Sequence, residues 1–291
     1  MKIACLILAH DKPRQLERLA RAVLGDPRDQ AIIHIDRKSA LWRERDSLTL
    51  PANARIVADP TEVRWGHWSQ VAATHLLVRE ALDSGCDAAH LISGADWPVA
   101  PREAVAAELA QGKCHIEAEH CWLEARMQTY RLDTKWLYPM DRGPLANQAL
   151  WELRRLARAG DRLRRVLGRR RPEPYGKWLY GSSWWSLPRG VLETVEAELG
   201  RLLASGRLAG TVCADEHAIP TIVGHFFADR LAPNRRFILW PDNVDISNPL
   251  VLTGEHRPRI EASSAWFARK FDADDDDFFY SIGKDGAART A

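Results

Sequence analysis

No apolar run in this sequence approaches the ~20 residues that a bilayer-crossing helix needs. The opening, MKIACLILAHDKPRQ, is interrupted by His10, Asp11 and Lys12 before a signal-peptide pattern can develop. These two absences predict a cytoplasmic protein, or one that touches a membrane only at its periphery. Cysteine is sparse: the five thiols (Cys5, Cys86, Cys114, Cys121, Cys213) are odd in number and form no Cys-x-x-Cys pair. That argues against both a disulfide framework and a structural zinc site, and predicts reduced thiols, some of them buried. An excess of either charge is lacking too, since 41 Lys and Arg stand against 39 Asp and Glu for a net charge of +2. Nothing in that balance demands nucleic acid, and any basic site must be local.

Several catalytic signatures are missing as well. There is no Gly-x-x-x-x-Gly-Lys-Ser/Thr loop, no Gly-x-Gly-x-x-Gly after the first strand and no Gly-x-Ser-x-Gly elbow, so kinase, dinucleotide and α/β-hydrolase readings fall away. The histidines (among them His67, His75, His90, His115 and His120) are scattered, without His-Glu-x-x-His or paired Cys/His ligands. An Asp-x-Asp pair at the end of a central strand would hold a divalent ion beside a nucleotide. The comparable place, Ser93-Gly94-Ala95-Asp96-Trp97, has one carboxylate, and Asp272-Ala273-Asp274 lies in an acidic C-terminal run. We therefore expect no catalytic metal and no resident cofactor.

What is present fits a soluble globular protein: 291 residues, 46% hydrophobic and 27% charged, enough for one large domain. Twelve tryptophans are the oddity of the composition; some belong to a core, but the indole face is also a platform for sugar rings or bases. Short apolar runs alternate with amphipathic stretches. Ile3 to Leu8 reads as a strand, Leu16, Leu19, Ala20 and Val23 mark a helix, and Ala31 to Ile35 is a second strand ending at Asp36. Residues 54 to 58 form a third strand, Ser69 to Leu82 a helix capped by Ser69, and Ala88 to Ser93 a fourth strand. This is a βαβ pattern with a mostly parallel sheet. Open sheets of that kind bind ligands at the carboxyl ends of their strands, so His10, Asp36, Trp65 and Asp96 should converge.

The second half is less periodic. Cys114 to Glu119 reads as a strand and about Gly190 to Leu203 as a helix. Nine arginines fall between Trp151 and Pro172, offset only by Glu152 and Asp161. That stretch is either a basic helix docking on an anionic membrane or acceptor, or a solvated insertion. Asp215-Glu216 precedes an apolar stretch containing Pro220, which places the pair in a helical first turn. There a carboxylate is stabilised as an anion and can take a proton from a bound hydroxyl, or can serve helix stability alone. Arg269-Lys270 is framed by Phe267 and Phe271; anchored cations of this kind suit a diphosphate, and a surface pair on a closing strand is the alternative.

Taken in order, Leu6-Ile7-Leu8-Ala9-His10, Ile33 to Ser39, Val63 to Ser69, Leu91 to Pro98, Gly181-Ser182-Ser183-Trp184-Trp185, Asp215-Glu216 and Phe267 to Phe271 resemble the family 14 glycosyltransferases. These are the core-2/I-branching β-1,6-N-acetylglucosaminyltransferases and the peptide O-xylosyltransferases. The resemblance implies a GT-A-like α/β fold over residues 1–291, with a basic insertion around 145–175 and a frayed C-terminal tail. It also implies a metal-independent, inverting transfer from a UDP-sugar, with GlcNAc or xylose as the donor sugar, to a hydroxyl of a glycan or other acceptor. Uridine and ribose contacts fall on His10, Asp36 and Trp65, the catalytic base on Glu216, and the diphosphate contacts on Lys270 with Arg269 beside it. Glu117 matches an acidic acceptor-binding position; Asp96, Ser182, Trp184 and Trp185 are further candidates for contact with donor or acceptor sugar. A second phosphate-binding arginine of the branching enzymes aligns near Ser247, so Arg269, Arg257 or Arg259 would have to replace it. The alternatives are a non-catalytic nucleotide-sugar or carbohydrate-binding module on the same scaffold, and a nucleotidyltransferase, whose usual acidic metal ligands are not evident.

Overall fold

The computed structural model describes residues 1–128, 173–241 and 248–272, together with positions 159, 160, 163, 166 and 167. The nine arginines between Trp151 and Pro172 and the tail from Asp274 lie outside the described residues.

The four apolar runs of the N-terminal half are strands: Ile3–Ala9 (β1), Gln30–Ile35 (β2), Ala54–Ile56 (β3) and Ala88–Ser93 (β4). They pair in parallel in the order β3-β2-β1-β4, with helices Pro13–Ala22 (α1), Ala40–Arg43 (α2) and Ser69–Asp83 (α3) in the connections. Then come Asp96–Pro98 (β5), Arg102–Leu109 (α4), Cys114–His115 (β6) and Ala125–Gln128 (α5). After the central gap the chain forms Trp185–Pro188 (β7), Arg189–Ala204 (α6), Ala218–Phe226 (α7), Leu231–Ala232 (β8), Arg236–Ile238 (β9), Arg257–Glu261 (α8) and Phe267–Arg269 (β10). The main sheet runs β3-β2-β1-β4-β7-β6-β8, with β7 antiparallel to β4 and β6; a small sheet runs β5-β10-β9. This mostly parallel sheet between helices is the GT-A-like class that the motifs imply.

Successive side chains of a strand point to opposite faces, so one strand builds two cores. Ala4 and Leu6 of β1 join Val71, Leu77 and Val78 of α3 and Val191, Val195 and Leu199 of α6. Ile3, Cys5 and Ile7 join Leu16 and Leu19 of α1 and Val105 and Leu109 of α4 on the other face. Each such buried aliphatic side chain stabilises the fold by about 1.5–3 kcal/mol. Cys5, Cys86, Cys114 and Cys213 are buried and none of the five cysteines is in a disulfide, with burial pushing the Cys5 thiol up to about 12. Among the described residues no helix is long and apolar enough to cross a membrane.

Three local expectations need correction. Ser69 is the first residue of α3 rather than its cap: its Oγ accepts the Arg64 N–H at 2.9 Å, and its own N–H donates to His67 Nδ1 at 3.0 Å. The strand expected over Cys114 to Glu119 is only Cys114–His115, because Glu119 pairs instead in an isolated bridge with Tyr180. Asp215 and Glu216 lie in a separate 3-10 turn, Ala214–Glu216, ahead of α7. Pro220 is tolerated inside the first turn of α7, where its missing N–H would have no helical partner anyway.

Candidate active site at the strand ends

A cleft of about 670 Å³ opens where β1, β2 and β4 end, and the motif residues meet in it. His10 follows β1 and is exposed; Asp36 follows β2; Trp65, 56% exposed, stands beside Gly66 on the cleft wall. Asp36 is also a loop organiser. Its Oδ1 accepts the N–H groups of Lys38 and Val63, both at 3.2 Å, and its Oδ2 accepts from Lys38 Nζ at 2.5 Å. These bonds tie the segment carrying Trp65 to the end of β2. His34, two residues back on β2, accepts the Thr61 N–H at 2.8 Å, and burial depresses its imidazole to about 4, so it is neutral.

Both carboxylates of the Asp215-Glu216 pair line the same cleft. Cys213, in the left-handed region at φ 53°, turns the chain into their 3-10 segment, and its N–H donates to Gly66 O at 2.8 Å. Asp215 Oδ2 accepts from Ser183 Oγ at 2.6 Å and from Gln70 Nε2 at 2.9 Å. Glu216 Oε2 accepts from Arg126 Nη1 at 2.6 Å, while its backbone carbonyl accepts the Gly181 N–H at 2.9 Å. Burial, and then the adjacent Asp215 charge, push the Glu216 carboxyl up to about 7 against the opposing pull of Arg126. Burial raises Asp215 as well, although the Ser183 hydroxyl works the other way. A carboxylate held near neutrality, oriented by an arginine through one oxygen, suits proton acceptance. Glu117 and Ser182 share this wall, the Ser182 N–H donating to Glu117 Oε2 at 3.1 Å.

Arg269 and Lys270 form a cationic wall of the cleft, backed by Phe267 and Phe271, which are buried as their spacing predicts. The Arg269 guanidinium lies over the Trp184 ring, 4.3 Å from its centroid. Two sugar-contact candidates do not face the cleft. Trp185 is wholly buried, because the β4–β7 register opposite Leu91 turns it into the core. Asp96 is buried at 1% exposure, because β5 pairs with β10 and covers it.

The sequence reading missed Gln70, Arg126, Ser183, Arg236 and Trp240. Arg236 on β9 lines the cleft and donates through Nη2 to Trp185 O at 2.7 Å and Ser186 Oγ at 3.0 Å. Burial lowers it only to about 10, so it stays cationic. It is a better placed second arginine than Arg257 or Arg259, which sit on α8 outside the cleft lining, Arg257 donating to Glu261 at 2.6 Å. The run Arg236-Phe237-Ile238-Leu239-Trp240 does read as a strand with an arginine entering it, which was the available signal. A second cavity, of about 690 Å³, opens between α1 and α4. Its arginines are engaged: Arg102 by Asp29 and by Met1 O, Arg21 by Thr49 O.

Among solved structures, the chain is similar to 4-diphosphocytidyl-2C-methyl-D-erythritol synthase from Anaerococcus prevotii, at 14% identity and a TM-score of 0.36, covering 89% of this chain and 94% of that one. It is similar to mouse xyloside xylosyltransferase 1 at 10% identity and a TM-score of 0.37, covering 92% and 97%. No curated protein sequence matches the chain. The family model of the Core-2/I-Branching enzymes matches residues 3–248, a span holding His10, Asp36, Trp65, the Asp215-Glu216 pair and the whole seven-stranded sheet. The chain therefore belongs to the Core-2/I-Branching enzyme family and is a glycosyltransferase.

Proposed function

We propose that the protein transfers a sugar, GlcNAc or xylose, from a UDP-sugar to a hydroxyl of a glycan or similar acceptor, by single displacement with inversion and without a metal ion. The observation that carries this reading is a carboxylate with a pKa pushed up to about 7, Glu216, on the same cleft as three cations, Arg236, Arg269 and Lys270. Inversion by one displacement needs a base on the acceptor side and charge stabilisation on the leaving-group side. Glu216 Oε1 takes the acceptor proton as the oxygen attacks the anomeric carbon. Arg269 and Lys270 oppose the charge that grows on the departing diphosphate, a role worth several kcal/mol when such groups are preorganised (roughly 3–4 per donor). His10, Asp36 and Trp65 take the uridine end, and Trp184 with Trp240 offers indole faces to the sugars.

Metal independence rests on the sequence: a single carboxylate, Asp96, stands where a metal-binding Asp-x-Asp pair would be needed. Transfer from UDP-GlcNAc or UDP-xylose, followed by UDP release, should persist in excess EDTA. Loss of activity that manganese restores would refute it. Tight UDP binding with no turnover across a donor and acceptor screen would point instead to a binding module.

A further inference from the structure

Asp96 is the one strand-end carboxylate that the proposed mechanism leaves without a task. Its side chain is fully buried, and its oxygens are fixed by the Ser93 N–H at 2.7 Å and Ser93 Oγ at 3.1 Å. In the antiparallel β5–β10 register Asp96 stands directly opposite Arg269, and its Oδ1 is 3.5 Å from Arg269 Nε. That guanidinium is only 12% exposed, yet its Nε and Nη1 have no hydrogen-bond partner among the described residues. A desolvated guanidinium with idle donors is costly unless a charge is close and an anionic ligand completes its bonding. Trp184 fixes one face of it at 4.3 Å and Asp96 fixes its Nε edge, so its freedom is restricted before any ligand arrives.

From this geometry we propose that Asp96 is a positioning residue: it never touches the donor, and holds Arg269 against Trp184 in the pose that receives the diphosphate. The same buried charge also acts electrostatically on Arg236, the other cleft arginine, so one carboxylate offsets part of the charge of two guanidiniums. Without it the repulsion between the two arginines would go unopposed by that carboxylate. The inference rests on the proposed UDP-sugar reading, and its test separates the two.

Calorimetry with UDP and with uridine, on the full chain, measures what the diphosphate adds to binding. Asp96→Asn keeps the shape and an acceptor for Ser93 while removing the charge. We expect UDP affinity to fall ~10-fold with uridine affinity unchanged, the loss of about one charge-assisted interaction. Asp96→Asn in an Arg269→Gln background should then cost nothing more. A merely structural Asp96 would weaken both ligands together, or neither, and either result overturns the proposal. If the Asn variant does not fold, Ser93→Ala removes one of the bonds that fix the carboxylate and should reduce the UDP preference in the same direction; an unchanged preference counts against Asp96. A wild-type protein that binds UDP no better than uridine overturns the donor reading itself.

Discussion

Glu216→Gln should lower turnover by ~100-fold or more while UDP affinity stays near the wild-type value. The substitution keeps the size of the side chain and an oxygen for Arg126, and deletes the basicity. A base acts only as the new bond forms, so its loss falls on the transition state rather than on donor binding. The pH profile gives a second reading. Burial and Asp215 hold the folded Glu216 carboxyl at about 7, above its ordinary value of 4.5, so the base is ionised only on the alkaline side of neutrality. Turnover should rise with pH through about 7, and the residual activity of the Gln variant should lack that limb. The stability linkage has the opposite sign: a carboxyl whose pKa is raised by folding binds its proton more tightly in the folded state, so its contribution weakens as pH climbs from 4.5 to about 7. Near-wild-type transfer by the Gln variant would leave Asp215 as the carboxylate to test next.

Gly181→Ala should be the most damaging small substitution in the cleft. A Cβ on Gly181 would lie 1.9 Å from Glu117 O and 2.7 Å from Glu117 C, and both atoms are backbone. Nothing there can swing aside. Gly181 also donates its N–H to Glu216 O, so relieving the clash moves either the Glu117 wall or the 3-10 turn that carries the base. We expect a loss of ~3 kcal/mol, or roughly 5–10 °C in melting temperature, with turnover falling further than stability alone explains. Gly190, in α6, is the control: no atom lies within 4 Å of its added Cβ, so Gly190→Ala should be neutral or slightly stabilising. Equal melting temperatures for the two variants would refute the steric account.

Much of the N-terminal half was legible because parallel strands buried on both faces are continuous apolar runs, as β1, β2 and β4 are. Open sheets of this kind have their crevice at the strand ends, which is how His10 and Asp36 could be placed on the cleft. Burial at the other candidate positions depends on pairings that no local pattern reveals. Trp184 and Trp185 are neighbours in the sequence; the alternation of β7 sends one to the cleft and the other to the core, and only the register with β4 decides which. Asp96 looked like a loop carboxylate because the strand that covers it, β10, lies some 170 residues away. Arg126 belongs to a segment without periodicity, so only its 2.6 Å contact with Glu216 identifies it.

The small β5-β10-β9 sheet also governs the order in which this enzyme can become active. Strand β10 is among the last described parts of the chain, and it joins β5 from the first half to β9 from the second. A nascent chain could fold its four parallel strands early, since all four are made by Ser93, but the cationic side of the cleft would be complete only after residue 270 has been made. Closing so long a loop is slow. A chain ended before β10 should therefore keep Arg236 but lack Arg269 and Lys270, and so lose most of the cationic wall of the cleft, however well the rest of it folds. Partial products of synthesis or proteolysis would thus be unable to spend activated sugar.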